Sequence, residues 1–491
     1  MDSPRLVLGL KVRALRHAHG QTLKALAERS GLSVSYLSEI EKGKKYPKPE
    51  RLVELAAALE VPFDELVSLH VDEELTTLKA AFNSPLWRSF PFSLFGLESA
   101  NLLALVAGDP QRGSALLRAV GEVGRSYDIH VEHFLLSALR AYQHLHGNFF
   151  DELEEAAVGF RESQGWLSGE RIDAERLAAV LRRTWGYRLD DRKLASSPDL
   201  QGLRSVYVPG SPPTLFVNPR LMESQRAFVF AREIGYCSLE LETRALSSPW
   251  LEVESFDQVS SNFESSYFAG ALLMDRHRLT GDLERLFAAE RWSAETLLEM
   301  MNAYGVTPET FLHRLTQIVP HVFGLGELFF LRFSANQGEE GFRLTKWLNT
   351  SEVAVPRGFG LSEHFCRRWP ALQMLIKRQA ELSEPAQRVV GAYRVHFLDD
   401  DVECFEISMA RRMALQQETL SAVAVGFKVD AALRRTIRFW DDPAVRRVEV
   451  NLTCERCRLV DCEERVASAS ILERDIAQDR KARALSRLVS S

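Results

Sequence analysis

The segment from Thr22 to Gly43, TLKALAERSGLSVSYLSEIEKG, constrains the chain more than any other. Thr22 stands where a helix N-cap is needed, and Leu23, Leu26 and Ala27 give the helix it opens one apolar face. Gly31 permits the left-handed turn that ends this helix. Ser33 caps a second helix, anchored by Leu32, Val34, Leu37 and Ile40 and closed by Gly43. Ala27 is small, as a close crossing of two helices requires. The pattern predicts a helix-turn-helix. In such a unit the second helix presents short polar side chains at its N-terminal end to base edges. Here Ser33, Ser35, Tyr36 and Ser38 point outward, and Lys42, Lys44, Lys45 and Lys48 follow where phosphates are reached. A preceding helix with Leu6, Leu10, Val12, Ala14 and Leu15 on its inner face ends at Gly20. Pro47 and Pro49 open a fourth helix through Leu59, and Pro62 a fifth, Phe63–Leu69. Residues 1–70 are therefore expected to form a five-helix domain.

The remaining 421 of 491 residues demand further domains, since one core rarely organises so long a chain. Hydrophobic residues at 46% and charged ones at 26% are ordinary for globular proteins. A formal net charge of −6 excludes a protein that coats nucleic acid by charge alone, so DNA contact must come from the local N-terminal patch. No apolar run reaches the ~18 residues of a membrane span, and the N-terminus lacks a signal-peptide core. A cytoplasmic location is expected. Six cysteines in such a length do not make a disulfide framework, but three of them crowd into Cys454–Cys462.

Residues 71–170 read as wholly helical, with aromatic-rich turns at Trp87–Phe95 and a polar break at Gly108–Gly113. A spacer or dimerisation bundle is expected there. From Arg171 a helix leads into strands Arg204–Val208 and Thr214–Val217, split by Pro209-Gly210-Ser211-Pro212-Pro213. Helices Ser224–Leu241 and Phe263–Met274 follow. Glu327–Phe333, the polar hairpin-like Ser334–Gly341, Phe342–Trp347, Tyr393–Phe397 and Glu403–Met409 suggest a β-rich module.

Residues Gln21 to Ala27 and Tyr36-Leu-Ser-Glu-Ile-Glu-Lys-Gly43 resemble the XRE (Cro/repressor) helix-turn-helix family. The resemblance implies that Gln21 contacts phosphate, with Thr22 beside it, and that Ser33, Ser35 and Tyr36 read bases. It also implies a homodimer on a two-fold operator, because one such domain gives too little affinity.

The helix around Ala231-Arg232-Glu233-Ile234-Gly235-Tyr236 has the frame of the H-E-x-x-H zinc helix, in which two His on one face bind metal and Glu is the base. Both His are absent. Glu264-Ser-Ser-Tyr267-Phe-Ala-Gly-Ala-Leu-Leu-Met274 resembles the helix carrying the third ligand in the ImmA/IrrE peptidases, with Glu264 at the ligand position. A guanidinium at a zinc position repels the ion, so the fold is expected without peptidase chemistry. Arg232 would then pair with Glu233 and Glu264. The order of these segments, with Phe311-Leu-His-Arg-Leu-Thr316 and Leu328-Phe-Phe-Leu-Arg332, resembles the short-chain fatty acyl-CoA regulator family. That resemblance implies an acyl-CoA effector, with Arg226, Arg232, Tyr267, Arg314 and Arg332 as candidate contacts. Two other readings remain at this level: a regulator controlled by a protein partner, and an active metallopeptidase using other ligands.

Cys454-x2-Cys457-x4-Cys462 can bring three thiolates to one centre, and Cys366 in Glu363-His-Phe-Cys-Arg-Arg is the candidate fourth. Four thiolates suit a [4Fe–4S] cluster or Zn²⁺; the family resemblance favours the cluster. Cys404 sits in a strand-like run and reads as a core thiol. The tail carries Arg474, Arg480, Lys481, Arg483 and Arg487, a basic helix face that is either solvated or an auxiliary DNA contact. The expected fold is thus multidomain, mainly α with α+β parts. It comprises the helix-turn-helix domain (1–70), a helical linker (71–170), a degenerate zincin-like ligand-sensing domain (171–320), a mixed α/β C-terminal domain with the cysteines (321–465) and a basic tail (466–491).

Overall fold

The computed structural model describes residues 4–41, 45–68, 91, 95, 131–249, 253, 255–336, 341–356, 363–384, 387–416 and 418–490. Two compact units are present: residues 1–142 with 254–256, and residues 143–253 with 257–491. The aromatic turns and the polar break expected within 87–113 lie outside the described residues, apart from Pro91 and Phe95. No described helix is long and apolar enough to cross a membrane.

The first unit opens with α1 (Pro4–Ala18), α2 (Leu23–Ser30), α3 (Val34–Glu41), α4 (Pro49–Ala58) and α5 (Phe63–Val67). Local chemistry sets their ends. The Ala25 amide donates to Thr22 Oγ1 at 3.1 Å, Gly31 takes φ 65°, and the Tyr36 amide donates to Ser33 Oγ at 3.1 Å. Leu8, Val12, Leu26, Leu37, Ile40, Leu52, Leu55, Leu59 and Leu66 form one core. Two details differ from the sequence reading. The inner face of α1 runs through Val7, Leu8 and Val12, with Leu15 only partly covered. Val34, expected as an anchor, is the first residue of α3 and is 45% exposed. The unit also contains a buried ion pair: Arg16 Nε and Nη2 donate to Glu41 at 2.6 and 2.9 Å, tying α1 to the end of α3.

Helix α6 (Val131–Leu145) runs across the boundary between the units. The second unit continues with α7 (Asp151–Ser163) and α8 (Ala174–Trp185), the latter capped by Asp173 and stopped by Gly186 at φ 66°. A four-stranded sheet follows, ordered β1-β3-β2-β4: β1 (Arg188–Asp190), β2 (Ser205–Val208), β3 (Thr214–Val217) and β4 (Ser247–Ser248). The short helix α9 (Lys193–Ser196) lies between β1 and β2 in sequence. Then come α10 (Glu223–Ser238), α11 (Phe256–Leu273), α12 (Arg276–Phe287), α13 (Ala294–Tyr304) and α14 (Pro308–Phe323). Helix α11 starts two turns before its expected beginning.

The C-terminal part is a six-stranded sheet ordered β10-β7-β8-β9-β5-β6. Its strands are β5 (Leu328–Asn336), β6 (Arg343–Asn349), β7 (Arg388–Phe397), β8 (Val402–Arg412), β9 (Thr419–Lys428) and β10 (Arg446–Val450), all antiparallel neighbours except β10, which pairs parallel to β7. One face packs on α15 (Pro370–Lys377) through Phe329, Leu331, Phe333, Trp369, Leu372, Ala410, Ala422 and Ala424. The other face lies under α14, where His313 meets Phe330 edge-on at 5.5 Å. Helices α16 (Ala431–Thr436) and α17 (Ser470–Ser490) complete the chain.

Glu406 of β8 shares the α15-facing side with Cys404 and Ala410 and is fully buried. Ser408 Oγ donates to its Oε1 at 2.5 Å, and its Oε2 meets no donor among the described residues. Burial raises its carboxyl to about 8. A folded-state value above the unfolded one means stability is lost as pH climbs from the ordinary carboxylate range through about 8. Glu406→Gln removes that loss. The melting-temperature advantage of the variant should therefore widen between about pH 5 and about pH 8.5. A gap that does not change with pH would show that Glu406 titrates normally.

Candidate nucleic-acid interface and sensor sites

Helices α2 and α3 form the helix-turn-helix pair. Ser33 and Ser35 are exposed, and Tyr36 and Ser38 are half-buried on α3; Thr22 is exposed and Gln21 half-buried at the start of α2. Each of these six sequence-predicted contacts thus keeps some open surface. Lys42 and Lys44 lie outside the described residues. Lys45 is exposed and engaged locally: its Nζ is 2.8 Å from a Glu39 carboxylate oxygen and 5.6 Å from the Tyr36 ring centroid. Gln21 Oε1 is buried and meets no donor among the described residues, while the Gln21 carbonyl accepts from Arg16 Nη1 at 2.9 Å. Arg16 thereby holds both the entry to α2 and the exit of α3.

In the second unit Glu233 occupies the general-base position of the zincin frame, almost completely buried on α10. Its partner is not Arg232, as expected, but Arg244, whose Nη2 makes a very short contact with Glu233 Oε2. Tyr187 Oη donates to the same oxygen at 3.3 Å and lies 3.5 Å from Cys237 Sγ. The Arg244 guanidinium also stacks over Tyr207 at 3.5 Å and Tyr236 at 4.3 Å. Burial opposes its charge, but Glu233 more than offsets this, and its pKa is raised. Burial raises the Tyr187 hydroxyl as well. A carboxylate held by a cation and a phenol cannot serve freely as a base. Nor is Glu264 paired with Arg232; it accepts from Ser260 Oγ at 2.7 Å, one turn away on α11.

The five candidate effector contacts divide. Arg314 and Tyr267 are committed to Glu154 of α7. Arg314 Nη1 and Nη2 donate to the two carboxylate oxygens at 2.5 and 2.8 Å, and Tyr267 Oη donates to Oε1 at 2.7 Å. All three side chains are buried, so the expectation that Arg314 and Tyr267 face a ligand is corrected: they form an internal polar knot. Arg226 and Arg232 are half-buried, and the Nε of each meets no acceptor among the described residues. Arg332 on β5 reaches Glu309 at 3.4 Å and donates to Ser421 Oγ at 3.3 Å.

The cysteine segments are brought side by side. Phe365 and Thr453 form an antiparallel bridge, the Cys366 amide donates to Leu452 at 3.2 Å, and the Cys454 amide donates to His364 at 2.8 Å. Arg465 clamps the loop from within: its guanidinium donates to the carbonyls of Cys454, Cys457, Leu459 and Ala467. Cys366, Cys454 and Cys457 are buried and Cys462 is half-buried. Burial pushes the Cys366 thiol up to about 11, with Cys457 and Cys454 near enough to add to the rise. The donor chemistry fits a thiophilic metal or cluster, although among the described residues no three ligating side chains converge as a metal site. Cys404 is buried in the sheet, as the sequence suggested.

The Helix-turn-helix family matches residues 12–66, and the IrrE N-terminal-like domain matches residues 193–316. The HTH-type transcriptional regulator y4dJ of Sinorhizobium fredii is 43% identical over 68 residues, 14% of this chain and 87% of that protein. The chain belongs to the helix-turn-helix transcriptional regulators. Transcriptional regulator ClgR of Mycobacterium tuberculosis is 40% identical to this regulator over 58 residues, 12% of this chain and 52% of ClgR. The HTH-type transcriptional repressor RghR of Bacillus subtilis is 42% identical over 60 residues, 12% of this chain and 44% of RghR. The regulator thus spans about half the length of these two relatives. A solved Mycobacterium tuberculosis transcriptional regulator aligns with 67% of this chain and 92% of its own, at 18% identity and a TM-score of 0.46.

Sequence reasoning about the regulator missed Arg244, Tyr187 and Glu154. Arg244 lies eleven residues beyond Glu233, in a segment with no helix or strand periodicity. Glu154 lies in the stretch read only as a helical spacer or dimerisation bundle. The available signal was spacing: Leu153, Glu154, Ala157 and Arg161 are buried positions of α7 at helical intervals, so Glu154 falls on the apolar stripe.

Proposed function

We propose that this DNA-binding regulator acts as a homodimer on a two-fold operator, and that its operator affinity is set by an effector of short-chain acyl-CoA type, by a metal–sulfur centre, or by both. The carrying observation is the Glu233–Arg244 contact. The zincin-like frame persists while the carboxylate at its base position is engaged by an internal cation, which favours a sensing role over hydrolysis. Arg226, Arg232 and Arg332 keep donor capacity for an acidic effector. Cys366, Cys454, Cys457 and Cys462 would hold the cluster, which supplies redox sensitivity when bound.

The test is an operator gel shift on anaerobically purified protein, with and without propionyl-CoA. Operator affinity should change at least tenfold with the acyl-CoA, and Ser35→Glu combined with Tyr36→Ala should abolish the shift altogether. Unchanged affinity, together with a stably co-purifying protein, would replace the effector by a protein partner. Retained specific binding by the double variant would remove α3 as the reading helix.

A further inference from the structure

The face of the six-stranded sheet under α14 carries several basic side chains at its β6 end and beside its apolar residues. Register places Arg332 beside Lys346 on β6, and Ser334, Ser421, Arg411 and Arg388 in one row across β5, β9, β8 and β7. Arg332 and Ser334 are two residues apart on β5, so both project toward α14 with Phe330. From α14 comes Glu309, 3.4 Å from Arg332 and 3.8 Å from Lys346. Arg204, just before β2, and Arg232, on α10, approach from the zincin-like part.

This cluster is charge-incomplete. Arg332, Lys346, Arg204 and Arg411 all act on Glu309, and Arg232 acts on Arg204. Glu309 is the carboxylate that offsets burial at Arg204, Lys346 and Arg411, so among the described residues at least three positive charges there lack a counter-charge. Arg411 is only 5% exposed, yet its Nη1 meets no acceptor, and neither does Arg232 Nε. Burial pushes Arg411 down to about 10 and lowers Lys346 too. Lys346 nevertheless keeps 45% of its side-chain surface open. Lys346 therefore sits at the open edge of the cluster, with Arg411 behind it. Unpaired buried cations are costly, and a cluster of guanidinium forks matches phosphate oxygens.

We infer that Arg204, Arg232, Arg332, Lys346 and Arg411 form a binding site for a phosphate-bearing small molecule with at least two negative charges, in which Glu309 is a built-in competitor that the ligand displaces. The inference rests on reading the second unit as a sensor, but it concerns only where the anionic part of an effector is held. Glu309 thereby acquires a regulatory role, since its carboxylate steadies the empty site and sets the threshold a ligand must exceed.

The test is titration calorimetry of the full-length protein with inorganic pyrophosphate, with succinate as the carboxylate control, together with melting curves. Pyrophosphate should bind and raise the melting temperature, and succinate should bind at least tenfold more weakly. Glu309→Gln should bind pyrophosphate at least tenfold more tightly and melt lower than the parent when empty. Arg411→Met should lose pyrophosphate binding by at least tenfold yet melt no lower than the parent when empty, since it removes an unneutralised buried cation. Absent pyrophosphate binding, weaker binding by Glu309→Gln, or a destabilised Arg411→Met protein would each overturn the site. Propionyl-CoA binding that ignores Arg411→Met would sink this site and leave the effector reading intact. Pyrophosphate binding without any acyl-CoA response would do the reverse.

Discussion

Replacing Glu154 by alanine should destabilise the second unit by about 3–5 kcal/mol, the cost of stranding a buried charge. Arg314 and Glu154 are each only 1% exposed at the side chain, so no water replaces the lost carboxylate. Tyr267 Oη would lose its acceptor in the same step. Burial favours the neutral acid at Glu154, but Arg314 and the Tyr267 hydroxyl outweigh it, and the carboxyl stays below its ordinary value. The pair's contribution is therefore present above the usual carboxylate range and disappears as pH falls through the lowered value. Urea unfolding near neutral pH should show the full drop in midpoint for Glu154→Ala. Combining Glu154→Leu with Arg314→Met should restore most of it, because two apolar groups leave neither charge unpaired. A double variant as unstable as the single one would mean that the knot acts through packing rather than charge.

Gly9→Val should cost the DNA-binding unit its fold while sparing the second unit. A Cβ at Gly9 would stand 2.3 Å from the Ile40 carbonyl oxygen and 3.0 Å from that of Glu41. These are backbone atoms at the end of the reading helix, and a rotamer change cannot relieve them. Helix α1 would have to move off α3, opening the core at Leu8, Val12, Leu37 and Ile40 and pulling Arg16 from Glu41. Overpacking and loss of that buried pair together exceed about 3 kcal/mol, enough to unfold a small helical domain. Operator binding should vanish, and circular dichroism should show helix lost from this unit alone. Specific binding retained at parental strength would mean that α1 does not brace α3.

The helix-turn-helix was legible because its determinants are local. Thr22, Gly31 and Ser33 act on amides within a few residues, and the apolar spacing around them carries the rest. The strands at 205–208 and 214–217 were legible for the same reason, bounded as they are by Pro209–Pro213. Strand β9 was missed because Thr419–Lys428 is buried on both faces and shows no alternation, and β10 because it is a five-residue edge strand. At the sites the limit was pairing over distance. That Glu233 stands without the zinc-binding histidines could be read from the sequence, but the cation that holds it could not. Arg244, Glu154 and Arg411 take their meaning from partners that topology supplies. Arg232 and Arg332 were named from the family resemblance, but not that the fold would bring them near Arg204, Lys346 and Arg411.

The Lys45–Glu39 contact bears on how the regulator responds to ionic strength. Protein–DNA affinity falls with salt because each neutralised phosphate sheds a condensed counterion. Lys45 already carries an internal anion, so moving it to a phosphate would set Glu39 loose beside the polyanion. That exchange returns part of the entropy the released ion provides. The steepness of binding against salt is then expected to rest on cations other than Lys45, whose ammonium stays 5.6 Å from the Tyr36 ring centroid.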